Sequence, residues 1–164
     1  MTRPLKAAVP YMSNRGDFCF RPGDSVTLKG ILRANAEKFS INFTTTDCDC
    51  PENIIYHFKL DFDENTIIEN SKENNQWSED EVVNDNESFE NDVNNLFSKF
   101  LGSGEFKLQF TFQEDKINTF IMHESTPSYL TSFSYNGDLT YEKIKYIQVW
   151  DDVDKISEIL FQFN

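Results

Sequence analysis

Positive charge is scarce in this chain: 15 Lys and Arg stand against 28 Asp and Glu, a formal net charge of −13. Nucleic acids and anionic membrane surfaces are therefore poor partners, because binding them relies on cations that displace counterions. Long apolar runs are also lacking. No stretch reaches the length of about 18 apolar residues that a membrane-spanning helix needs. The N-terminal segment carries Arg3 and Lys6 but no apolar core suited to a signal peptide. Cysteine is limited to Cys19, Cys48 and Cys50. The last two are too close for an easy mutual bridge, so free thiols in a reducing cytosol are the expectation. A metal role for Cys48 and Cys50 would need further ligands, and His57 and His123 are the only histidines. No Asp-x-Asp-x-Asp-Gly calcium loop is present, so neither a metal nor another cofactor is expected. With 6 Gly and 5 Pro there is no flexible linker and no glycine-rich phosphate loop. No nucleophile stands in an elbow or papain-like context. Asp61 and Asp80 are the carboxylates a glycosidase would want, yet the sequence around neither marks it as a general acid. An enzyme is not expected.

What is abundant is Phe, 16 residues of it, accompanied by many Ile and Val, a composition suited to pleated, packed faces. Several segments alternate apolar and polar residues: Ser25–Leu28, Phe39–Phe43, Phe106–Phe112, Tyr146–Trp150 and Ile159–Phe163. Turn signals separate them at Arg21-Pro22-Gly23-Asp24, Asp47–Glu52, Glu114–Lys116 and Asn136-Gly137-Asp138. Many short strands at this spacing predict an all-β, two-sheet antiparallel sandwich in one domain over residues 1–164. Composition alone does not choose the topology.

The stretch from Ile54 to Trp77 carries the functional signal. At period two, Ile54, Tyr56, Phe58, Leu60 and Phe62 share one face, and His57, Lys59 and Asp61 share the other. A second short strand, Thr66–Ser71, adds Asn70, and an indole follows at Trp77. Polar side chains beside an aromatic plate suit a sugar, whose hydroxyls need hydrogen bonds and whose C–H face stacks on a ring. The same row has a bland interpretation. Lys59 and Asp61 lie ~7 Å apart along a strand, and as an exposed ion pair they would contribute under ~1 kcal/mol and recognise nothing.

The order of these residues resembles the galectin family. Its signature His-Phe-Asn-Pro-Arg-Phe, then apolar-x-Asn, then Trp-Gly-x-Glu-x-Arg corresponds here to three segments. They are His57-Phe58-Lys59-Leu60-Asp61-Phe62, Ile68-Glu69-Asn70-Ser71 and Trp77-Ser78-Glu79-Asp80-Glu81-Val82. Val9-Pro10-Tyr11 and Arg21–Gly30 look like the family's opening strands, Phe106–Phe120 like its long central hairpin, and Lys145–Ile159 like its closing strands. The resemblance covers about residues 7–164 and implies a jelly-roll sandwich that binds glycans. It implies a carbohydrate site of His57, Lys59, Asp61, Asn70, Trp77 and Asp80, with Trp77 as stacking plate, His57 as donor to a ring hydroxyl and Asn70 as a bidentate amide. Four motif positions have changed: Asn to Lys59, Arg to Asp61, Glu to Asp80 and Arg to Val82. Replacing a guanidinium fork by an acceptor-only carboxylate implies altered, non-standard galactoside specificity. The alternative is a galectin fold without sugar binding, acting as a protein-interaction module through Phe89, Phe97 or Trp150. The family also implies synthesis in the cytosol, export without a signal peptide, and a homodimer through terminal strands such as Ile159–Phe163. Asn42-Phe43-Thr44 and Asn86-Glu87-Ser88 match the glycosylation sequon, but without a secretory signal they carry no expectation.

One segment departs from the family outline. After Trp77 an acidic run (Glu79, Asp80, Glu81, Asp85, Glu87, Glu90, Asp92) leads into Ser88–Leu101, which reads as a short amphipathic helix. Ser88 would cap it, Phe89, Val93, Leu96, Phe97 and Phe100 would form its stripe, and Gly102 would end it. Such a helix would either rest on the sandwich or form a lid at the rim of the sugar groove.

Overall fold

A computed structural model describes residues 3–9, 19–85, 100 and 102–164. In chain order the strands are β1 (Leu5–Ala8), β2 (Ser25–Leu32), β3 (Lys38–Thr44), β4 (Ile54–Asp61), β5 (Thr66–Glu73) and β6 (Gln76–Trp77). They continue with β7 (Val82–Asp85), β8 (Glu105–Phe112), β9 (Lys116–His123), β10 (Thr126–Ser134), β11 (Tyr146–Asp151) and β12 (Val153–Gln162). A single 3-10 turn, Tyr141–Lys143, precedes β11. One sheet runs β1-β11-β3-β4-β5-β6, with β7 also paired to β5; the other runs β10-β9-β8-β2-β12. The pairings are antiparallel, and the two sheets form the expected sandwich.

Alternation explains the layering. In β8, Phe106, Leu108, Phe110 and Phe112 are buried between the sheets while Lys107, Gln109 and Thr111 face outward. In β4, Tyr56, Phe58 and Leu60 are fully buried and His57, Lys59 and Asp61 lie on the outer face. The Phe-rich composition goes into an aromatic core. Phe43 meets Phe110 edge-on at 5.0 Å, Tyr56 stacks on Phe133 at 5.0 Å, and Phe39 stacks on Phe106 at 4.5 Å. Such pairs add roughly 0.5–1.5 kcal/mol each beyond burial.

Phe106 also sets a constraint on its neighbour. Gly30 pairs with it across β2 and β8, and a Cβ on Gly30 would sit 2.4 Å from the Phe106 ring. The ring fills the place of the missing side chain. Gly30→Ala is expected to cost about 1–3 kcal/mol by overpacking, read as a lowered urea midpoint with an unchanged slope; an unchanged midpoint would show that the ring moves aside freely.

Asparagine shapes the turns that the site depends on. Asn74 and Asn75, at φ 51° and 66°, form the two-residue hairpin between β5 and β6, the geometry of a type I′ turn. Asn65, at φ 53°, closes the β4–β5 turn, where Asp61 Oδ1 accepts the Glu64 N–H at 3.0 Å.

The amphipathic helix expected over Ser88–Leu101 lies outside the described residues except for Phe100, which is helical and buried. Its end differs from the expectation. The terminating glycine is Gly104, at φ 71°, whose N–H bonds the Phe100 carbonyl at 2.8 Å, not Gly102. A left-handed glycine that returns its N–H to the last turn is the usual helix stop.

Candidate functional site

Strand register assembles the site on the outer face of the first sheet. Gln148, Asn42, His57 and Asn70 form one row across β11, β3, β4 and β5. Trp150, Ser40, Lys59, Ile68 and Val83 form the next row. The Asn74-Asn75 hairpin then folds β6 back so that Trp77 pairs with Lys72. That hairpin is pinned by the β3–β4 loop. The Asn75 N–H bonds the Glu52 carbonyl at 2.9 Å and the Asn74 N–H bonds Asn53 Oδ1 at 3.0 Å.

His57 Nδ1 lies 2.6 Å from Asn42 Oδ1. With an amide oxygen on that side, Nδ1 carries the proton and Nε2 keeps a free lone pair. Burial, and then the charge of Lys59, brings the ring's pKa down to about 4, so the ring is neutral at physiological pH. The donor role expected of His57 therefore becomes an acceptor role at Nε2.

Asn70 is 3% exposed, and both ends of its amide are engaged. Nδ2 donates to the Ser78 carbonyl at 3.3 Å and Oδ1 accepts the Ser71 N–H at 2.8 Å. One of its N–H donors thereby holds the Ser78 segment in place, and the amide keeps a second N–H and a second lone pair. Trp77 is 47% exposed. The His57 ring meets the indole at a centroid distance of 5.0 Å and 65°, and Lys72 Nζ lies 5.5 Å from the indole centroid.

His57, Asn70, Trp77, Ser78 and Glu81 line an open depression of about 400 Å³. Lys59 and Asp61 share the face with His57 but do not line this depression. Asp61 is engaged in its own turn, and the expected Lys59–Asp61 ion pair does not form. Ion pairs do form at Lys6, with Asp47 at 3.2 Å and with Asp49 at 2.5 Å. Asp80 lines a neighbouring cleft, and Glu81 lines the depression beside Trp77. The Ser78–Glu81 segment is tied down by the Ser78 N–H on the Ser71 carbonyl at 2.9 Å. It turns again through the Asp80 N–H on Ser78 Oγ at 3.0 Å.

Asn42, Ser78 and Glu81 also lie beside His57 and Trp77, which alternation alone does not reveal. Alternation in β3 put Asn42 on the polar face, but only register shows that it meets His57. Trp150 is half-buried, and its Nε1–H donates to Gln148 Oε1 at 3.2 Å, while Gln148 donates to the Cys48 carbonyl at 2.5 Å. Cys19, Cys48 and Cys50 are unbridged. Among the described residues no group of three His, Cys, Asp or Glu side chains is placed to hold a metal, and no helix is long and apolar enough to cross a membrane.

A family model of galactoside-binding lectins matches residues 12–161. The chain belongs to that family. Over 61 residues it is 38% identical to Grifin of Mus musculus and 36% identical to Grifin of Rattus norvegicus. These stretches cover 37% of this chain and 40% of each relative. Among solved structures it is similar to Xenopus laevis galectin-Ib, with TM-score 0.68, 21% identity and 97% and 99% of the two chains covered. Caenorhabditis elegans galectin LEC-6 gives TM-score 0.67 at 17% identity, covering 99% of this chain and 92% of that one. At these identities the structures attest the fold, the jelly-roll sandwich of the galectins. The family consists of non-enzymatic, carbohydrate-binding lectins, in keeping with the absence of catalytic motifs.

The depressed His57 pKa has a measurable consequence. The folded ring binds its proton only near pH 4, against about 6.5 when unfolded. The native state thus binds fewer protons, so stability from this group is complete above pH 6.5 and is lost as pH falls toward 4. Relative to His57→Gln, the parent chain is expected to lose roughly 2 kcal/mol between pH 7 and pH 4.5, read from urea melts at the two pH values. Parallel pH profiles for the two proteins would refute the assignment.

Proposed function

We propose that this galectin-type chain binds a neutral glycan in the groove of His57, Trp77 and Glu81, with a specificity unlike that of ordinary galactoside binding. The observation that carries this is the half-open indole of Trp77 beside a neutral histidine whose acceptor nitrogen is free. An aromatic face for the C–H side of a sugar ring and an acceptor for one hydroxyl are the minimum a lectin groove needs. Glu81 adds an acceptor pair at the rim. This acceptor-rich groove, on a chain of net charge −13, favours neutral sugars over sulfated or sialylated ones.

Specificity is altered because the family's donor positions are changed. Lys59 supplies a flexible ammonium, Asp61 is committed to its turn and Val82 offers no polar atom. A galactose 4-hydroxyl is then met by His57 Nε2 as acceptor, without the guanidinium fork. Pairing of two copies through the edge strands β1 and β12, where Leu5 and Leu160 are 36% and 45% exposed, belongs to the same proposal, as do cytosolic synthesis and export without a signal peptide.

A broad glycan array tests the reading. Binding confined to neutral glycans supports it. A second reading, a galectin fold that has lost sugar recognition, is favoured by the burial of Asn70 and by Val83, 53% exposed on the strand paired with β5. Silence across the array at high protein concentration would select that module.

A further inference from the structure

A second cleft, of about 290 Å³, opens on the other side of β5, where the two sheets part beside β10. Asn70 and Ser71 are consecutive on β5 and point to opposite faces, so the Ser78–Glu81 segment forms a ridge between groove and cleft. Glu81 faces the groove and Asp80 faces the cleft.

The cleft holds two anomalies. Ser71 is 1% exposed and Tyr135 Oη is buried, yet neither hydroxyl has a hydrogen-bond partner in the protein. Buried polar groups are almost always satisfied, because an orphan bears the full desolvation penalty. Here two orphans line one cleft, together with Ser78, Asp80, Ser134 and Asn136. Burial, with the charges of Tyr141 and Asp115 after it, holds the Tyr135 hydroxyl in its protonated form, so it remains a donor. The ring of Phe133 supplies an apolar wall. Hydroxyls, one amide and one carboxylate around a small apolar surface offer both donors and acceptors without a cationic partner for an anion.

We propose that this cleft is a second carbohydrate site, independent of Trp77, which takes one neutral sugar unit through Ser71, Asp80 and Tyr135. A hexose-sized ligand with a handful of hydrogen bonds is held in the millimolar range. Asp80 accepts from a hydroxyl pair, while the Ser71 and Tyr135 hydroxyls turn to the ligand's ring substituents. The same cleft explains why Asp80 does not join the groove.

The test uses the full chain carrying Trp77→Ala, which disables the groove and leaves the cleft intact. Free galactose, glucose, mannose and N-acetylglucosamine are each titrated and followed by saturation-transfer NMR. The expected result is saturable transfer to at least one of them, weakened tenfold or more by adding Ser71→Ala with Tyr135→Phe. Those two truncations remove orphaned hydroxyls, so melting temperature is expected to hold or rise, which separates lost binding from lost fold. No transfer from any of the four sugars, or transfer that the two truncations leave unchanged, would overturn the proposal. Because the groove is disabled throughout, its own failure to bind a glycan does not bear on this result.

Discussion

Trp77→Ala is expected to weaken glycan binding by 50-fold or more while leaving the sandwich folded. The indole is 47% exposed on a two-residue edge strand, so its removal takes little from the core. A sugar ring that covers roughly 100 Å² of its face gains about 2.5 kcal/mol at about 25 cal/mol per Å², which corresponds to 50–100-fold in Kd. The stability loss should stay within about 1 kcal/mol, as for most exposed positions. Trp77→Phe keeps a smaller plate and should fall between the two. Calorimetric titration with the best array glycan, beside a thermal melt of each variant, reads both quantities. Binding that survives Trp77→Ala in a folded protein would remove the indole from the site.

The largest effect on stability is expected at Glu69→Ala. Glu69 projects from β5 into the space between the sheets and is fully buried. Its carboxylate accepts the Tyr56 hydroxyl at 2.6 Å and the Thr131 hydroxyl at 2.6 Å, and Tyr56 also meets Thr119 at 3.2 Å. The cluster therefore ties β4 and β5 of one sheet to β9 and β10 of the other. Truncation leaves a cavity and strips two buried donors of an acceptor, an expected loss of about 3–5 kcal/mol. Against a total of roughly 5–15 kcal/mol this brings the fold close to its limit. Glu69→Gln keeps the shape and one acceptor, so it should cost far less.

A pH signature accompanies the cluster. Burial raises the Glu69 pKa above the ordinary carboxylate value, with the two hydroxyls opposing the shift. The native state then binds the proton more tightly than the unfolded chain, so stability from this group falls as pH rises from the ordinary carboxylate value to the folded one. That slope is opposite in sign to the one from His57. It should vanish in Glu69→Gln when unfolding is followed in urea across that range, and its persistence there would assign it to another group.

Much of the fold was legible because alternation is a local property. The faces of β4 and β8 could be assigned residue by residue, and the Phe content announced an aromatic core. The candidate site was legible only where a residue's position is set by its own strand. His57 on the outer face and Trp77 after the hairpin meet that condition. Roles fixed by a neighbour were not visible. Asn42 assigns the proton on His57 through strand register, which a linear pattern does not encode. Asn70 and Asp61 also bond the Ser78 segment and the β4–β5 turn, links that a linear pattern does not show. Which of Asp80 and Glu81 lines the depression depends on the path of the chain between β6 and β7, which motif spacing does not encode. The helix end moved from Gly102 to Gly104 for a related reason, since both glycines permit a stop and only the backbone path selects one.

The most direct test of the account maps the glycan on the protein. Amide and indole N–H resonances are recorded while the best array glycan is titrated into the intact chain. The account predicts saturable shifts centred on the Trp77 indole, His57, Ser78 and Glu81, with the outer face of the β10-β9-β8-β2-β12 sheet unmoved. Shifts centred on that other sheet, with Trp77 and His57 silent, would contradict it.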